Sequence, residues 1–196
     1  MRGFVRFVDQ LSLWIGHSFA WCIVILTLAI SYEVVVRYLF RAPTVWAFDI
    51  SYMMYGALFF MAGAYALSRG GHVRGDILYR TWQPRTQAAV DLVLYILFFF
   101  PGVLALIYAG IPQAAQAWRY GEVSIYSPAN IPVYPLRTLL PVGAAFLALQ
   151  GIAEVCRCII CLREGRWPQR LHDVEELENQ LIEQHQAQVA RAEARP

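Results

Sequence analysis

The sequence predicts an all-α integral membrane protein with four transmembrane helices, and three observations carry that reading. Mean hydropathy is +0.43 and only 15% of the 196 residues are charged, a balance foreign to soluble domains. Four apolar runs, 14–36, 46–67, 88–109 and 136–162, each reach the roughly 20 residues that a helix needs to cross a hydrocarbon core. None of them alternates in the short segments of a membrane barrel strand.

The division that follows is an interfacial amphipathic helix over 1–13, a four-helix membrane domain over 14–162 and a polar tail over 163–196. In MRGFVRFVDQLSL, Phe4, Phe7, Val8 and Leu11 recur at helical spacing while Arg2, Arg6 and Asp9 fall elsewhere, as in a helix lying on a membrane surface before the chain turns in. A cleavable leader is the competing reading. The apolar run is longer than a leader core and is followed by Glu33 and Arg37 instead of a small-residue cleavage site, so the segment is expected to stay.

Every basic side chain is arginine. Arg2, Arg6, Arg69, Arg74, Arg80, Arg85, Arg157, Arg163, Arg166 and Arg170 flank one side of the spans, against Arg37, Arg41, Arg119 and Arg137 on the other, which puts both termini in the cytoplasm. Trp14, Trp46, Trp82, Trp118 and Trp167 fall near span ends, where indoles favour the headgroup region.

Between the first two spans lies YEVVVRYLFRAPTVWAFDI, which carries Glu33, Arg37, Arg41 and Asp49. Pro43 ends the first helix and Thr44 can cap the second. Arg37 and Asp49 are equally far from Pro43, and Glu33 precedes Arg37 by one helical turn in the favourable order. Three readings compete: Arg37 held between Glu33 and Asp49, arginines reaching up to outer headgroups, or a group in a proton or ion path. The last needs a chain of ionisable residues across the membrane, and the third and fourth spans carry only Asp91 and Glu154 near their inner ends.

The second loop, 68–87, reads as a cytoplasmic amphipathic helix with Val73, Ile77, Leu78 and Trp82 on its apolar face. Within it His72 and Asp76 have i,i+4 spacing, compatible with a metal or proton role or with plain helix-end hydrogen bonding. Pro128, Pro132 and Pro135 crowd the third loop, and Pro141 is expected to kink the fourth span. Gly56, Gly63 and Ala66 on the second span allow another helix to approach closely. Cys156, Cys158 and Cys161 are badly spaced for one metal and read as small apolar residues, as does Cys22. In the tail, Leu171, Val174, Leu177 and Leu181 describe an amphipathic helix too short for a self-standing coiled coil.

Three clusters, in order, resemble the small membrane subunit of tripartite ATP-independent periplasmic (TRAP) transporters, the DctQ-like small permease. They are Glu33, Arg37, Tyr38, Pro43, Trp46 and Asp49; then Gly71, His72, Val73, Arg74 and Asp76; then Ser124, Ile131, Pro132, Leu140, Pro141 and Gly143. The resemblance covers most of residues 10–162 and departs at Asp49, where Glu is common. It implies a bacterial inner-membrane subunit, without enzymatic activity, that scaffolds a large multi-span permease for sodium-coupled uptake of an organic acid or related solute. A periplasmic solute-binding protein and membrane lipids are the other partners implied, with no nucleic acid. No cofactor is expected on this chain, and sodium is expected at the large subunit. Glu33, Arg37, Tyr38, Trp46, Asp49, His72, Arg74, Asp76, Pro132 and Pro141 become candidates for structural or partner contacts.

The competing class is a membrane anchor of a redox enzyme, or a scaffold of another membrane complex. Axial haem ligation needs histidines facing one another inside spans. His17 lies near the inner end of the first span, while His72, His172 and His185 lie in loop and tail.

Overall fold

The computed structural model describes residues 1–70, 79, 82–126, 128–168 and 185. Four helices among these are long and apolar enough to cross a membrane: α1 (Arg2–Leu39), α2 (Ala47–Ser68), α3 (Pro84–Tyr120) and α4 (Tyr134–Glu164). In α3 the turn Tyr95–Phe99 is π-helical. The loop helix expected around His72, Arg74 and Asp76, and the tail helix expected from Leu171, fall outside the described residues.

The expected turn between a surface helix and the first span does not occur. Residues 1–13 form the opening turns of α1, a single 38-residue helix, about 57 Å long at 1.5 Å per residue. Its buried side near the start is Val5, Val8, Asp9 and Ser12, whereas Phe4 and Phe7 are exposed. The reason is α4, which runs alongside and offers Ala153 to Val5 and Val8.

At its far end α1 stops at Leu39, and Arg41 takes the left-handed conformation (φ 52°) just past the end. Trp46, not Thr44, occupies the cap position of α2. Thr44 is engaged elsewhere, as described below.

Helices α1, α2 and α4 pack mutually, and α3 is added on α4. Small residues permit this closeness. A methyl group added at Gly143 of α4 would sit 2.6 Å from the backbone oxygen of Phe60 in α2. Gly56 and Gly63 of α2 face Leu136 and Leu147 of α4, so these small residues serve the chain's own packing. Gly110 of α3 receives Leu140 and Pro141 of α4, and Gly151 lies under the ring of Phe99 from the π-helical turn. Cys158 and Cys161 pack on Ala88.

Helix α2 is the shortest of the four, with 22 residues. Gly16 of α1 lies against Tyr65, so by rise per residue Ser68 is about 4.5 Å beyond that level and Asp9 about 10 Å beyond it. The first turns of α1 and the last turns of α4 therefore continue past the end of α2.

Candidate functional site

Charged side chains gather at the two ends of the helix cluster. At the end holding the 40–46 loop, Glu33 is the centre: it accepts from both Nε (2.8 Å) and Nη2 of Arg37, and its other oxygen accepts from the backbone N–H (3.0 Å) and hydroxyl of Thr44. One carboxylate thus closes the loop back onto the last turns of α1. Its side chain is 13% exposed while that of Arg37 is 53% exposed, so the carboxylate, not the guanidinium, is the hub.

Asp49 and Arg37 are equally far from Pro43, so the two can meet across the hairpin, but the hydrogen bonds of Arg37 go to Glu33. Equal depth does not fix direction around the helix axis. Asp49 is buried and accepts from Ser124 Oγ at 2.6 Å, in the loop between α3 and α4. That loop is closed by Val123 paired with Pro132, by Ser124 N donating to Ile131 O (2.8 Å) and by an ion pair of Arg137 with Glu122 (2.5 Å). Asp49, Ser124 and Arg137 all line one cavity of about 300 Å³ between α2, α3, α4 and this loop.

The other candidates on this side have structural positions. Trp46 stacks on Tyr32 (centroids 5.8 Å, 24°), and Tyr38 is largely exposed. Pro132 is in the loop pairing, and Pro141 sits inside α4 against Gly110. Trp118 donates to Thr138 Oγ1 (2.8 Å), tying the end of α3 to the start of α4.

At the opposite end is a buried polar cluster that sequence reasoning missed. Arg157 of α4 donates through Nη2 to Asp9 of α1 and through Nη1 to Glu154. Gln150 Nε2 donates to Asp9 Oδ1 (2.9 Å) and reaches Glu154 Oε1 at 3.5 Å, while Ser12 Oγ donates to Gln150 Oε1 (2.9 Å). All five side chains are buried. A signal was available: Gln150, Glu154 and Arg157 at i, i+4 and i+7 share one helix face, and a polar stripe through an apolar span demands a polar partner. Asp9 is that partner, where the sequence pattern put it on the outward face.

Outside this cluster an exposed ion pair joins Arg2 to Glu164 (2.5 Å), and Trp167 donates to Gln87 Oε1 (2.9 Å) in α3. His17 bonds its own turn through Leu13 O (2.8 Å) and meets the edge of Tyr65.

Chemically, both clusters are suited to fixing helices against one another. The cluster at the Asp9 end sets a cation between two carboxylates and adds an amide and a hydroxyl, so both terminal nitrogens of Arg157 are matched, which makes burial of the charge tolerable. Between the ends, the α2–α4 contact is made by Gly56, Gly63, Phe60 and Gly143 with apolar partners.

Comparison with curated proteins gives no match. A family model described as "Tripartite ATP-independent periplasmic transporters, DctQ component" matches residues 26–160. That stretch contains the Glu33 hub, the Asp49–Ser124 contact and the Gln150–Arg157 stripe, and it spans more than half of the sequence: the chain belongs to the DctQ family, the small membrane component of TRAP transporters.

Proposed function

We propose that this chain is the static scaffold of its transporter, holding a large multi-span permease in the bacterial inner membrane with both termini in the cytoplasm. The large subunit carries the substrate and sodium sites, and a periplasmic solute-binding protein delivers an organic acid or related solute to it. What supports the scaffold reading is that the buried carboxylates Asp9, Asp49 and Glu154 are each engaged by side chains of this same chain. Groups committed to internal hydrogen bonds at either end fix helix positions; a coupling group has to exchange partners during transport.

Open packing adds to it. The most apolar windows of α1 and α3 are each only 6% buried, so both helices offer long apolar faces to lipid or to a larger membrane partner. The Glu33 and Asp49 contacts fix the two outer loops, and we assign them the presentation of that end to the partner. The excess of arginine on the terminal side supports the orientation.

The test is reconstitution. Proteoliposomes holding the large permease, with its binding protein outside, should take up an organic acid driven by an inward sodium gradient only when this chain is present. Equal uptake without it removes the scaffold role.

A further inference from the structure

Beyond the end of α2, the first turns of α1 and the last turns of α4 enclose a cleft of about 610 Å³. Arg2, Arg6, Arg157 and Arg166 line it, against the carboxylates of Asp9 and Glu164. The carboxylates are already engaged: Asp9 by Arg157 and Gln150, Glu164 by Arg2. Arg6 and Arg166 are exposed and have no ion-pair partner among the described residues. Two arginines that have no ion-pair partner among the described residues thus line one concave space.

A second, independent feature points to a ligand. Arg157 is 1% exposed, both of its terminal nitrogens are used, and its Nε–H has no acceptor. A buried donor on a guanidinium is costly to leave unmatched, and this one belongs to a residue that lines the cleft, so the cleft wall keeps unspent donor capacity.

We infer that this cleft binds the phosphate of an anionic membrane lipid headgroup. Phosphate is the anion whose several oxygens match converging guanidinium groups. The membrane is its source because of depth. Asp9 lies only about 6 Å beyond the last residue of α2 by helical rise, and exposed Phe4, Phe7 and Trp14 stand on α1 at and around this level. Aromatic side chains outside and arginines inside one short stretch describe a headgroup site with acyl chains running along the outer face. A volume of this size admits a glycerophosphate headgroup. The inference uses geometry alone and does not depend on the proposed transport role.

Native mass spectrometry of the full-length chain in detergent, titrated with phosphatidylglycerol, phosphatidylcholine or inorganic phosphate, tests it. Phosphatidylglycerol should bind saturably and more tightly than phosphatidylcholine. At about 1 kcal/mol per arginine the double variant Arg6→Gln/Arg166→Gln should lose about 25-fold in that affinity. Arg6→Lys/Arg166→Lys keeps both charges without the guanidinium fork and should lose less than the glutamine pair does, and Arg163→Gln, an exposed arginine outside the cleft, should change it less than about twofold. Equal binding of the two lipids overturns the inference, as does an equal loss with Arg163→Gln. Displacement of phosphatidylglycerol by inorganic phosphate at matched concentration overturns the lipid assignment in favour of a free anion.

Discussion

Replacing Arg157 with methionine removes the one cation that, among the described residues, bonds both Asp9 and Glu154, while keeping most of the side-chain volume. Asp9 and Glu154, 4% and 1% exposed, then lose their guanidinium contacts. Gln150 Nε2 remains, 2.9 Å from Asp9 and 3.5 Å from Glu154, but an amide carries no charge to replace the guanidinium's. Breaking a buried pair in this way costs about 3–5 kcal/mol. The Arg2–Glu164 pair provides the contrast. Its side chains are 65% and 47% exposed, so Arg2→Gln should cost no more than about 1 kcal/mol. Adding Asp9→Asn and Glu154→Gln to Arg157→Met removes the stranded charges, keeps hydrogen-bonding shapes, and should restore most of the loss. The assay is reversible unfolding in mixed micelles, followed by tryptophan fluorescence, with a mutant cycle on Arg157 and Asp9. A coupling of about 1–3 kcal/mol is expected. A wild-type unfolding midpoint for Arg157→Met, or no coupling between the two positions, refutes the claim that this cluster clamps α1 to α4.

At the other end, Glu33→Leu should destabilise the complex more than Arg37→Leu does, because the carboxylate holds both Arg37 and Thr44; yields of the assembled complex from parallel purifications decide this. Asp49→Asn keeps an oxygen for Ser124 and should leave the 121–133 loop intact, whereas Asp49→Leu leaves the Ser124 O–H without its acceptor at about 1–3 kcal/mol and should expose the loop to limited proteolysis. Gly143→Ala places a methyl 2.6 Å from the Phe60 backbone oxygen and should cost about 1–3 kcal/mol in thermal unfolding. Gly63→Ala meets Leu147 at 3.8 Å and should be tolerated.

The spans were legible because hydrocarbon thickness is a length filter on apolar runs. All four appear where expected. What composition cannot report is how far a helix continues once it leaves the apolar run: α3 extends past the expected end at 109 to Tyr120, and α1 and α4 likewise overshoot. The Glu33–Arg37 contact was readable from i,i+4 spacing, being local. Asp49 was not, since its direction is set by the distant Ser124. The Asp9–Arg157 contact joins residues 148 apart in sequence. Periodicity tells which residues share a face, and only packing tells which helix that face meets. The π-helical turn at Tyr95–Phe99 has no mark in its apolar sequence; it becomes intelligible once Phe99 is seen over Gly151.

The scaffold claim is tested most directly by the sodium-to-substrate ratio of the reconstituted transporter carrying Asp49→Asn or Glu154→Gln on this chain. With charges that only fix helices, every variant that assembles should show the wild-type ratio, and uptake should fall only in proportion to the complex recovered. A changed ratio in a fully assembled variant places a carboxylate of this chain in the coupling path and contradicts the account.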